Sequence, residues 1–234
     1  MIMSSRALVL FLGSLLLVSW AVQGVALSVV GDARSDAMTP WLVGLMFLPS
    51  LWSIAYLVLF NRAAWKLVHV RPGNPLYLLL AALLPAAIAF ATLLVCLQQG
   101  WGASSYFTEA ATGANILRGP WVLGSGPQSW ALFALNVAVT AITFACLNGL
   151  AAVGEEFGWR GVLQHHLIER MGYWRGVAVL GFVWGIWHVP VNLAGYNYSD
   201  APVWGALVVF PVELIAVSFI MAWLTIRAQS FWPA

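Results

Sequence analysis

Runs of about twenty apolar residues constrain this chain more than any other feature. Six of them stand out, at residues 7–30, 39–60, 75–98, 130–153, 176–194 and 203–225. At 1.5 Å of rise per residue, a helix of that length crosses a hydrocarbon layer of roughly 30 Å. The expected fold is therefore all-α: a polytopic transmembrane helical bundle of about six spans, forming one integral membrane domain over residues 1–234. Only 8% of the residues are charged and 62% are hydrophobic, whereas a soluble domain carries roughly 25% charged residues. A water-soluble core is excluded on that ground. The net charge of +2 comes without a basic run, so nucleic acid is not an expected partner. The bilayer is.

The first run follows Arg6 and is longer than the apolar core of a signal peptide. It also lacks an A-x-A cleavage site, so an uncleaved first span is expected. With the amino terminus in the cytoplasm, Arg6, Arg62, Lys66, Arg71, Arg160, Arg170, Arg175 and Arg227 fall on or toward the inner side. Only Arg34 and Arg118 fall outside. Eight against two fits the positive-inside bias. Residues 100–129, rich in Gly, Ser and aromatic side chains, read as an external loop with a short interfacial helix. Cys96 and Cys146 sit in apolar runs without CxxC or CxxH spacing and read as packing residues.

Ionisable residues inside the hydrophobic part are the candidates for chemistry. Residues 130–194 read as a long helix, a tight reversal at Met171-Gly172-Tyr173 and a returning helix, with Gly172 suited to a positive-φ helix stop. Glu155 lies 17 residues before Gly172 and His188 lies 16 after it, so antiparallel helices bring an acid and an imidazole to nearly the same depth. Gln164 begins the polar stretch that marks the interface, and Glu155 lies roughly 13 Å deeper along a straight helix. An ionised group at that depth costs several kcal/mol unless it is paired or wetted.

Glu156 and Arg160, four apart, share one face and can neutralise each other. Glu155 is rotated by about 100° from Glu156 and stays free to polarise water. His188 and Asn192 are also four apart, so Asn192 can reach the imidazole or a substrate carbonyl. A competing reading makes 154–175 a solvated loop with the glutamates at an interfacial helix end, and His188, between Trp184 and Trp187, an aromatic-belt residue. His165 and His166 read as interface residues. Glu213, after Pro211, is a weaker intramembrane candidate. HExxH, GxSxG and Walker patterns are absent.

At these residues the chain resembles the CPBP family, the CAAX protease and bacteriocin-processing intramembrane peptidases also called Abi proteins. The family's EExxxR motif is matched by Glu155-Glu156-Phe157-Gly158-Trp159-Arg160, followed by Gly161. Its FxxxH motif is matched by Trp184-Gly185-Ile186-Trp187-His188, with tryptophan replacing phenylalanine at similar bulk. The resemblance covers residues 130–234, which would then hold a partial peptidase core. It implies that Glu155 and His188 activate a water that attacks a peptide carbonyl, with Glu156 and Arg160 catalytic partners and Asn192 and Trp184 in support.

Family members are often labelled metalloproteases. One histidine and two adjacent carboxylates make a poor zinc set, so metal-independent hydrolysis is expected, with a divalent metal such as zinc as the alternative. The family also carries a further His, with Asn or a similar residue four positions later, on a helix following a segment like 227–234. No such pair follows residues 227–234 in this sequence. The expectation is either a piece of a longer protein or one with impaired catalysis.

The expected function is an intramembrane endopeptidase acting on a membrane-associated peptide or a lipidated, CAAX-type protein, in a bacterial inner membrane. The alternative is a non-catalytic protein of the same fold, used for peptide binding or bacteriocin immunity. A small transporter using Glu155 and Glu213 as proton sites ranks below both, because paired broken helices are not evident.

Overall fold

The computed structural model describes residues 2–101 and 106–234. Its elements run in the order α1 (Ser5–Val30), α2 (Thr39–Met46), α3 (Leu48–Leu59), α4 (Pro75–Gln98), β1 (Phe107–Ala110), β2 (Gly113–Ile116), β3 (Gly126–Ser129) and α5 (Trp130–Glu156). A π-helical stretch, Phe157–Leu163, leads into α6 (Gln164–Met171) and α7 (Tyr173–Trp187). Then come α8 (Val189–Leu193), the short α9 (Pro202–Trp204), a second π-helical stretch, Gly205–Val209, and α10 (Phe210–Ala228).

The chain forms an all-α helical bundle. Five helical segments among the described residues are long and apolar enough to cross a membrane: Ser5–Val30, Asp36–Leu59, Pro75–Gln98, Trp130–Met171 and Pro202–Ala228. The run expected at 176–194 is not one continuous span. It is divided at His188, after the 15 residues of α7. Pro190 supplies the reason: it has no N–H to give to the carbonyl of Ile186, and its ring crowds that carbonyl.

Contacts divide the chain into two compact units, one formed by Met1–Asn74 with Ala151–Ala234 and the other by Pro75–Leu150. The second unit holds α4, the strands and most of α5. Residues 100–129 were expected to carry a short interfacial helix; the described part instead carries a three-stranded antiparallel sheet in the order β1-β2-β3. Residues 102–105 lie outside the described residues. A two-residue turn closes the first hairpin, with Ala110 opposite Gly113. Ala114 and Ile116, two apart, project to one face of β2 and pack with Phe133, as period-two alternation requires.

The first unit is cored by Leu15, Leu57, Trp159, Leu163, Leu167, Leu180 and Trp187. Lipid tails are as apolar as leucine, so helix association in a membrane rests on close packing. Two glycine pairs at i,i+4 provide it. A Cβ on Gly158 would lie 2.5 Å from the Pro49 backbone, and one on Gly154 2.7 Å from the Phe47 ring. A Cβ on Gly181 would lie 2.6 Å from Ile215 Cα, and one on Gly185 2.6 Å from Pro211 Cα. These pairs seat the helices that carry both motifs.

Gly185→Ala should therefore push α7 off α10 and lower stability by about 1–3 kcal/mol, the usual range for overpacking. Gly24→Ala, with nothing within 4 Å, should leave the thermal midpoint in detergent where it is. Equal midpoints for the two variants would contradict the close α7–α10 contact.

Candidate active site

The EExxxR residues are not in a solvated loop. They lie where α5 passes into the π-helical stretch, and Glu155, Glu156 and Arg160 are only 7%, 6% and 4% exposed. Stretches of π-helix often coincide with functional sites, because an extra residue per turn re-aims side chains. The chain reverses at Gly172, which has φ 77° as the sequence predicts, and α7 returns alongside α6.

Glu156 and Arg160 form the expected pair: Arg160 Nη1 donates to Glu156 Oε1 at 2.8 Å. Arg160 Nη2 donates to Ser218 Oγ at 3.2 Å and meets Met221 Sδ at 3.0 Å. Its guanidinium also covers the Trp184 ring, 4.1 Å from the centroid. A buried ion pair is tolerable only when further contacts offset the loss of water, and these supply them. Glu156 Oε2 and Arg160 Nε make no hydrogen bond among the described residues.

Trp184 is where the two motifs meet. Its indole Nε1–H donates to Glu155 Oε1. Its backbone carbonyl lies 2.8 Å from His188 Nδ1, and because a carbonyl only accepts, Nδ1 carries the proton. The lone pair of the neutral ring is then on Nε2. Edge-to-face contacts with Trp187 at 4.6 Å and Phe210 at 5.0 Å fix the ring further. Phenylalanine at position 184 would provide the ring but no donor to Glu155. Replacing it by tryptophan is thus a chemical difference as well as a match in bulk.

Of the two partners expected for Asn192, the imidazole is not reached. Asn192 bonds neither ring nitrogen of His188: its Oδ1 accepts from Asn197 Nδ2 at 3.0 Å, and its fully buried Nδ2 has no partner among the described residues. The Asn192 N–H still bonds to the His188 carbonyl at 3.1 Å, but Nδ1 of the ring is committed to the Trp184 carbonyl.

Glu213 accepts from Tyr198 Oη at 2.8 Å. Burial, then the bond and the charge of Glu213, push the Tyr198 hydroxyl up to about 12, so it remains a donor at neutral pH. His166, expected at the interface, is buried at 2% exposure; its Nδ1 accepts from the Met3 backbone N–H at 3.4 Å. A cavity of about 330 Å³ is lined in part by His69, Arg160, Gln164, His165 and Gln229.

Among the described residues, no three His, Cys, Asp or Glu side chains are grouped as a metal ligand set. With Glu156 bonded to Arg160 and a single imidazole present, the donors do not fit a tetrahedral zinc site. Sequence reasoning missed Ser218 and the two glycine pairs. It also passed over Gln23, a buried amide within an apolar span, which is itself a readable signal.

The same half of the chain is where relatives are found. The family described as Type II CAAX prenyl endopeptidase Rce1-like matches residues 127–234. CAAX prenyl protease 2 of Methanococcus maripaludis is 26% identical over 99 residues, 41% of this chain and 35% of that protein. The chain thus spans about a third of the length of that curated relative. No solved structure matches. The match over 127–234 takes in both motifs, and they come together in the bundle through Trp184; over this part the chain is similar to the Rce1-like CAAX prenyl endopeptidases.

Proposed function

We propose that this integral membrane protein is an intramembrane endopeptidase that hydrolyses a peptide bond in a membrane-associated, prenylated CAAX-type protein or peptide. The observation that carries the reading is the joining of Glu155 and His188 through Trp184, with the His188 Nε2 lone pair left open. A water held between Glu155 and Nε2 gives one proton to the carboxylate as its oxygen bonds to the peptide carbonyl carbon. Nε2 accepts a hydrogen bond from the same water and orients it. When the C–N bond breaks, the proton passes from Glu155 to the leaving amine, the second water proton stays on the new carboxyl group, and a carboxylic acid and an amine are released, which ionise in water to carboxylate and ammonium. Glu156 and Arg160 hold the helices and the Trp184 ring in register.

The reaction in this reading needs no metal. The cavity lined in part by Arg160, Gln164 and His165 serves in this reading as the entry for water. The charge distribution supports a cytoplasmic amino terminus, and a bacterial inner membrane location belongs to the same reading.

The test uses the full chain in proteoliposomes with a fluorogenic peptide anchored by a prenylated cysteine. Cleavage is expected to persist in chelator. Loss on chelation, reversed by zinc, would replace the water activation proposed here with a metal mechanism. If neither prenylated nor unmodified tethered peptide is cut but either binds, the non-catalytic reading of the fold stands instead.

A further inference from the structure

We propose that Gln23 and Trp20, on the first span, are positioning residues for His188, so that α1 is part of the site although it lies outside residues 127–234. The kinetic part of this inference rests on the peptidase reading. The structural part does not.

The observation begins with the backbone around Pro190. In a continuous helix the N–H of residue 190 would bond to the Ile186 carbonyl and that of Val191 to the Trp187 carbonyl. Neither bond is present. Trp20 Nε1 donates to the Ile186 carbonyl at 3.1 Å. Gln23 Nε2 donates to the Trp187 carbonyl at 2.8 Å, while Gln23 Oε1 accepts from the Val191 N–H at 3.3 Å. The carboxamide of Gln23 therefore splices the two ends of the broken helix, replacing one backbone bond with two. Gln23 is 1% exposed. Buried backbone polar groups must find partners, most strictly where lipid surrounds the fold, and α1 supplies them.

The break also sets the chemistry of the imidazole. In an unbroken helix the His188 N–H would take the Trp184 carbonyl. Here it bonds to the Gly185 carbonyl at 3.2 Å, leaving the Trp184 carbonyl to accept from the ring Nδ1–H at 2.8 Å. His188 has φ −87° and ψ −1°, in the sparsely populated bridge region where active-site residues recur. Gln23 and Trp20 hold this geometry from outside the helix. Through it they hold the Nδ1–H tautomer that leaves Nε2 open.

The experiment compares Gln23→Met, Pro190→Ala and their combination in the full chain. Methionine keeps the volume and removes both bonds. Alanine restores the missing N–H and lets the helix run straight. Gln23→Met should lower the thermal midpoint by roughly 5 °C or more, and the double variant should recover it, because a straight helix pairs its own carbonyls. The ¹⁵N spectrum of labelled histidine should show the Nδ1–H tautomer of His188 in the wild type and its loss in both variants carrying Pro190→Ala. With cleavage as readout, kcat should stay about tenfold or more below wild type in the double variant at near-normal KM.

Recovered stability with a lost tautomer separates positioning from simple packing. A Gln23→Met protein with the wild-type midpoint and wild-type His188 tautomer overturns the proposal. So does a double variant that regains stability and keeps the Nδ1–H tautomer. If even the wild type cleaves nothing, the peptidase reading fails, while the midpoint and tautomer still decide this one.

Discussion

Glu155→Gln should lower kcat for a tethered prenylated peptide by about 10³-fold while leaving the bundle folded, and His188→Ala should do the same at some cost in packing. A positioned general base contributes roughly 10²–10⁴-fold, and glutamine cannot take the proton of the attacking water. The amide nonetheless keeps the shape of the carboxylate, and its oxygen still accepts from the Trp184 indole N–H. The thermal midpoint in detergent should thus hardly change, and the loss belongs to chemistry. Glu155→Ala is the less informative substitution, because it leaves a half-buried indole donor without its partner. Trp184→Phe is the matching probe from the other helix: it keeps a ring under Arg160 and removes the donor, so a smaller fall in kcat is expected. Wild-type turnover in Glu155→Gln would sink the glutamate-based mechanism.

Much of this site was legible because charged residues in an apolar chain leave few places to look. Counting from Gly172 set Glu155 and His188 at one depth, and the turn is there, with the positive φ expected of it. The four-residue interval of Glu156 and Arg160 foretold their ion pair. What escaped depends on contacts between distant segments. Hydropathy cannot reveal that Gln23, some 164 positions from Trp187, splices the helix at His188. The π-helical stretch was equally invisible: it changes no composition, and it packs Gly158 against the Pro49 backbone. Pro190 was in view throughout, yet a continuous span was expected, because mean hydropathy does not register a missing N–H. The three strands near 107–129 are four residues each, too short for alternation to stand out among glycines.

Arg160→Met should be among the most destabilising single substitutions in the chain, costing about 3–5 kcal/mol, because it removes one member of a buried pair and leaves the other charge uncompensated. The guanidinium side chain is fully buried, and its contacts with Ser218, Met221 and the Trp184 ring go with it. Glu156→Gln should be milder, since Arg160 keeps those three partners and the amide oxygen can still accept from it. The combination of Glu156→Leu with Arg160→Met should recover most of the lost stability, because well-packed apolar residues often replace a buried pair at no cost. Chemical denaturation of the detergent-solubilised protein reads all three. A loss below about 1 kcal/mol for Arg160→Met would mean that the pair is wetted and worth no more than a surface bridge. Turnover of the double variant then assigns the role of the pair. If kcat returns with stability, Glu156 and Arg160 act by holding Trp184 and through it Glu155; if stability returns and kcat does not, their charge acts on the reaction itself.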